Sequence, residues 1–214
     1  MKVHGVRVLL ALAYVAAGAS AARAADESPW LGTIHVGYAK IIENTDDALY
    51  SVPGGGLDLH GGVYRLLRPA LGLGLEVGYQ HYGEKSYMIP AQESGDAGFS
   101  SVHFTVQGLL QDTQGTMRPF AVIGAGYYSI RTTTSGQLLF PDNTFIPGSH
   151  FEDKRTDGKF GANLGGGLQF KPSHSSVRYG LDARWHMIFD TWPKKDGSTS
   201  ALNALTVAAG IYFK

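Results

Sequence analysis

The sequence predicts an all-β fold, an eight-stranded antiparallel up-and-down barrel that crosses a membrane and is preceded by a secretory signal peptide. Three observations carry this. Residues 71–79 alternate almost without fault: Leu71, Leu73, Leu75, Val77 and Tyr79 share one face, while Gly72, Gly74, Glu76, Gly78 and then Gln80 share the other. The second face is mostly glycine with a few ionisable groups, which suits a narrow polar interior behind a lipid-facing wall better than the wetted side of a soluble sandwich. Finally, no stretch after the amino terminus supplies the roughly 18 consecutive apolar residues that a spanning helix needs.

At the amino terminus, Lys2 and Arg7 flank the start of an apolar run over 8–17, and small residues lead to Ala22-Arg23-Ala24. Basic start, short apolar core and A-x-A exit are the ordered parts of an export signal. Residues 1–24 are therefore expected as signal peptide and 25–214 as one barrel domain. Composition agrees with that division. Lys+Arg 18 balances Asp+Glu 18, so no basic surface points to nucleic acid. With Cys 0, disulfides and thiolate metal sites are excluded, and an exported domain must hold itself together by packing and backbone pairing. The 29 glycines lack collagen's period and fall mainly inside alternating segments, where a small lumen has little room for side chains.

The first strand is expected over 31–41, with Ile34, Val36 and Tyr38 opposing Thr33, His35 and Gly37. After an acidic stretch over 43–51, residues 56–67 set Leu57, Leu59 and Val63 against Asp58, His60 and Gly62, and Arg68-Pro69-Ala70 turns the chain. The 71–79 segment follows, then a long polar loop over 83–98. Residues 101–110 set Val102, Phe104 and Val106 against His103, Thr105 and Gln107. In the fifth strand, 119–131, both sets are similarly apolar, so its facing stays open: Phe120, Val122, Gly124 and Tyr128, or Ala121, Ile123, Ala125 and Tyr127. The longest loop is expected over 132–157. Strands at 160–170, 177–189 and 205–213 complete the set, with Arg178, Asp182, Arg184 and His186 on the inner face of the seventh. Trp30, Tyr64, Tyr79, Tyr128, Trp185 and Tyr212, near strand ends, are expected as interfacial girdles.

The segments 118–127 (RPFAVIGAGY), 161–168 (GANLGGGL) and 183–186 (ARWH) resemble the small outer-membrane β-barrel proteins related to the OmpA transmembrane domain, over essentially the whole mature chain. The resemblance implies residence in the outer membrane of a Gram-negative bacterium. It implies as partners the membrane's lipids and lipopolysaccharide, the barrel-assembly machinery and an extracellular ligand at the outer loops. Family members typically end on an aromatic assembly signal. Phe213 fills that place here, followed by Lys214. Connections that alternate long and short, with an even strand count, place both termini in the periplasm. The fold serves adhesins, envelope organisers, immune-evasion proteins and a few lipid-modifying enzymes alike, so it does not select among them.

Asp58, His60, Glu76, His103, Arg178, Asp182, Arg184 and His186, together with His35, form the inward ionisable set. Charges in a narrow lumen need partners, so the first expectation is a salt-bridge and hydrogen-bond network that plugs the barrel, with Glu76 and Arg184 as its central pair and Asp182 or Arg178 beside them. A proton-transfer or metal site using His60 and His103 is the sharper alternative, without a supporting spacing motif. No catalytic, cofactor or metal residue is assigned. Ser100, Ser101 and His103 lie close in sequence, as do His174, Ser175 and Ser176, and neither group has the His-Ser-Asn pattern of barrel lipid A deacylases. The glycines 72, 74 and 78 miss the dinucleotide spacing and lie within a strand. Glu43, Asp46 and Asp47 lack a calcium loop's spacing, and Lys154, Arg155 and Lys159 are candidates for lipid phosphates. A structural or surface-interaction barrel is the main reading. The alternatives are a small or gated channel, a lipid A-modifying enzyme and a soluble lipocalin-type barrel.

Overall fold

Period-two alternation runs through eight strands: β1 Trp30–Ile41, β2 Gly56–Arg68, β3 Leu71–Ile89, β4 Glu93–Gln111, β5 Met117–Leu139, β6 Phe145–Phe170, β7 Val177–Pro193 and β8 Thr199–Phe213. The computed structural model describes residues 28–42, 55–89, 91–172, 175, 177–193 and 199–214, with backbone alone at 190–193 and 199–200. The expected signal peptide, the acids Glu43, Asp46 and Asp47, and His174 and Ser176 lie outside the described residues. Each strand pairs antiparallel with the next, and β1 closes on β8, so the sheet has no open edge along the paired length. Closure matters because an unpaired backbone amide in hydrocarbon costs several kcal/mol, on the order of a lost hydrogen bond without water to replace it.

Closure also sorts the side chains. Leu73, Leu75, Phe104, Ile123, Leu164 and Leu181 point outward and are exposed, forming an apolar wall. Glu76, His103, Gln107, Asp182 and Arg184 point inward and are buried. The ladder resolves the facing of β5, because directly opposed residues project to the same side of a sheet. Tyr128 lies opposite His103 and Phe120 opposite Gln111, so Phe120, Val122 and Tyr128 are inside, and Ile123 and Tyr127 face out.

Two expectations are corrected. Tyr64, Tyr128 and Tyr212 are not interfacial: all three are buried in the lumen, Tyr64 on the parity of Asp58 and His60, while Trp30 and Trp185 do face outward. The residues expected as long loops are instead largely strand. Residues 83–89 and 93–98 are the arms of a hairpin that turns through Ala91 and Gln92, where Gln92 N–H donates to Ile89 C=O at 3.1 Å. Gly83, at φ 81°, accommodates the irregularity between His81 and Glu84. Likewise 132–157 is mostly ladder, reversing at 140–144 through Asn143 (φ 63°), with Phe140 N–H donating to Thr144 C=O at 2.8 Å. The Asp142 carboxylate accepts from the hydroxyl and backbone N–H of Thr144, and those two bonds hold its pKa below the usual carboxylate value. Beyond the lipid a strand no longer needs an apolar face. Thr132, Thr133 and Thr134 favour extended backbone and continue the pairing with β6. The β6 strand thus has 26 residues, against roughly 9–11 for a tilted crossing, and the β3–β4 and β5–β6 hairpins stand well clear of the apolar belt.

The interior is layered. Toward the long hairpins an apolar cluster of Ile41, Tyr82, Phe99, Tyr128, Ile130, Ile188 and Leu202 fills the lumen. Toward the short turns a second cluster, Leu31, Tyr64, Leu109, Phe120, Val122 and Tyr212, does the same. The polar belt sits between them.

Candidate functional site: a charged belt inside the barrel

Arg184 projects from the middle of β7 into the lumen. Its Nε donates to Asp182 Oδ2 on the same face at 2.8 Å, and its Nη1 reaches Glu76 Oε2 on β3 at 2.5 Å. Space for the guanidinium stem comes from Gly165, its partner on β6: a Cβ there would lie 2.5 Å from Arg184 Cγ. Glu76 is held further by Gln107, whose amide donates to Oε1 at 3.1 Å and also to Thr105 Oγ1 at 2.9 Å. His103 brings Nε2 within 3.7 Å of Glu76 Oε1, over Gly78, where a Cβ would lie 2.3 Å from the imidazole.

A second group lies beside the first. His60 Nδ1 is 2.9 Å from Asp58 Oδ2, and the His60 ring stacks on His35 with centroids 4.5 Å apart and planes 14° from parallel. Both imidazoles face Asp182: His35 Nδ1 stands 3.6 Å from Oδ1 and His60 Nε2 3.7 Å from Oδ2. Toward the hairpin end, Gln80 Nε2 donates to His186 Nε2 at 3.2 Å, which puts the His186 ring proton on Nδ1, toward the Tyr128 hydroxyl at 3.2 Å. Tyr82 and Ser101 both donate to Gln80 Oε1, at 2.5 and 3.1 Å.

The inward residues named from sequence thus share one interior. Asp58, His60, Glu76, His103, Asp182, Arg184, His186 and His35 lie in the central belt. Arg178 is set apart: six residues from Arg184 along β7, or about 20 Å of strand, it donates to Gln169 Oε1 at 3.1 Å near the short turns. The neutral partners Gln80, Ser101, Thr105, Gln107, Asn163 and Tyr64 are not among the network residues expected from sequence, although the alternation puts Gln80, Thr105 and Gln107 on inner faces. Parity carried the signal, since each occupies the inward phase already marked by a neighbouring ionisable group. Ser101 directs its hydroxyl proton to Gln80 rather than to His103, so the pair is not arranged as nucleophile and base. At the other end of the chain, Phe213 closes β8 and lays its ring over Gly32 of β1, where an added Cβ would make the ring shift.

The model of the outer membrane protein beta-barrel domain matches residues 8–213. The chain belongs to that family. It is an integral outer-membrane barrel, in agreement with its closed eight-stranded ring and apolar outer wall. Among solved structures, Neisserial surface protein A is similar with a TM-score of 0.55 at 13% identity, over 87% of this chain and 97% of that one. A major outer membrane protein from Thermus thermophilus gives 0.50 at 12%, over 86% and 98%. The outer membrane enzyme PagL gives 0.40 at 14%, over 86% and 98%, a likeness too loose to bear on chemistry. At such identities the shared property is the fold. No curated protein sequence matches the chain.

Proposed function

We propose that this outer-membrane barrel is a closed structural element whose two long hairpins present a surface for interaction outside the cell. One observation supports closure above all: the belt around Glu76, Arg184 and Asp182 is buried and lies between two apolar layers, so an ion crossing the lumen would meet two dry constrictions with a buried charge cluster between them. Eight strands enclose an interior that side chains can fill, and here they fill it. The interaction surface rests on the hairpins, where Met88, Leu138 and Phe145 are exposed on strands longer than a crossing requires and Phe140 is exposed in the turn between β5 and β6. Lys154 and Arg155, candidates for lipid phosphates, pair with Glu152 and Asp157 on the same strand and so present a mixed rather than a basic surface.

In this reading residues 1–24 are removed on export, both termini stay in the periplasm, and Phe213 engages the assembly machinery. Lipopolysaccharide surrounds the wall, and no catalytic residue or cofactor is assigned to a surface role. Planar-bilayer recording on the purified protein tests closure: a flat current at physiological salt is expected, and steady unitary conductance would favour a channel. Photo-crosslinking from Phe145 on intact cells tests the surface role, with capture of an extracellular ligand expected. Lipid A mass spectra that change with expression of the protein would favour an enzyme instead.

A further inference from the structure

Inside the belt, charge does not balance. Among the described residues of the belt, three buried carboxylates, Asp58, Glu76 and Asp182, share one guanidinium, Arg184, which leaves two negative charges for imidazole protons or a bound cation to meet. Arg178, four residues from Asp182 along β7, donates instead to Gln169 Oε1 at 3.1 Å. The hydrogen bonds leave a matching set of atoms unmet at one place: both ring nitrogens of His35, His60 Nε2 and Asp182 Oδ1 are buried with no hydrogen bond. One ligand atom from each of His35, His60 and Asp182 falls within 4.8 Å of the others, and all three residues are buried. Such excess negative charge, focused on nitrogen and oxygen lone pairs in a dry interior, calls for a cation.

We propose that His35, His60 and Asp182 hold one divalent transition-metal ion of the zinc class within the lumen. Two imidazoles and a carboxylate are a donor set of intermediate softness suited to such an ion. Asp58 completes the arrangement. It accepts from His60 Nδ1–H at 2.9 Å, which leaves the Nε2 lone pair for the metal and fixes the ring, as outer-shell carboxylates do at metal-bound histidines. The imidazole nitrogens stand 3.6 Å from Asp182 Oδ1 and 3.7 Å from Asp182 Oδ2, and the three ligand atoms lie within 4.8 Å of one another, against about 3.3 Å for the edge of a zinc tetrahedron with bonds near 2.0 Å, so the site contracts on binding. The stacked rings turn about Cβ–Cγ to aim both lone pairs at one ion. The ion then ties β1 and β2 to β7 across the closure of the sheet. With its charge the belt is neutral.

The test is metal capture by the full chain refolded in detergent with Co2+ and then passed over chelating resin. The expected result is one Co2+ per chain by elemental mass spectrometry, with visible ligand-field absorption. H35N and H60N should each lose the ion, and D58N should weaken binding about 10–100-fold. H103N, which changes a lumen histidine outside the three, should retain it. Absence of ion from the unsubstituted protein, or its retention in both H35N and H60N, would overturn the proposal. Because a lumen variant can fail to refold, histidine 15N spectra of the unsubstituted protein provide a second measurement. Two ring nitrogens should move to metal-bound positions when Zn2+ is present during refolding. Identical spectra with and without Zn2+, or two imidazolium rings in both, would assign the compensating charge to protons and overturn the metal.

Discussion

Arg184 Nη1 lies 2.5 Å from Glu76 Oε2, and the two residues come from β7 and β3, opposite walls of an eight-strand ring. The pair therefore spans the full width of the lumen, and Asp182 fixes the second edge of the same guanidinium at 2.8 Å. Both partners are almost wholly shielded from solvent. Removing one leaves the other as an uncompensated buried charge. E76Q or R184M alone should destabilise the barrel by about 3–5 kcal/mol, with the double variant costing less than the sum. Urea unfolding in lipid, taken through the double-mutant cycle, measures the coupling, and strictly additive effects would mean the contact contributes nothing.

The outward face makes a separate prediction. Leu75 and Leu164 are exposed on the apolar wall. Arg at either position near mid-membrane should cost about 2–4 kcal/mol, because the guanidinium must be carried into hydrocarbon. Spin labels at the two sites should report lipid-like mobility and oxygen access. Water-like accessibility at both would place these leucines off the lipid face.

Glycines beneath large lumen side chains should be intolerant of even one methyl group. A Cβ at Gly165 would sit 2.5 Å from Arg184 Cγ and 2.6 Å from Ala183 C=O, whereas one at Gly108, on the outer face, meets nothing nearer than 3.5 Å. G165A should lose about 1–3 kcal/mol by overpacking, and G108A should stay within about 0.5 kcal/mol of the parent. Equal losses in the two variants, read from unfolding midpoints at unchanged slope, would contradict the packing argument.

Topology follows from the two kinds of connection. A protease site inserted at Asn143, in the turn of the longest hairpin, or near Glu93 should be cut on intact cells. One at Gly115, in the short turn between β4 and β5, should be cut only after the outer membrane is breached. Cleavage at Gly115 on intact cells would invert the barrel.

What the sequence determined by itself was local. Strand number, facing on every strand but β5, and the inward phase of the ionisable residues all follow from a period of two, which needs no knowledge of neighbouring strands. The buried tyrosines were legible by the same rule, because Tyr64 shares the phase of Asp58 and His60; reading them as girdle residues weighed their position near strand ends above that phase. Only the tertiary structure decided the rest. The facing of β5 came from its register against His103 and Gln111, since its own two faces are equally apolar. The extent of the hairpins came from pairing beyond the lipid, where polar residues extend a ladder without an apolar signature. Which charges meet depended on ring closure, for the meeting of Glu76 with Arg184, or of His35 and His60 with Asp182, is set by strand order and stagger around the barrel, and residues far apart along the chain become neighbours only when β1 pairs with β8.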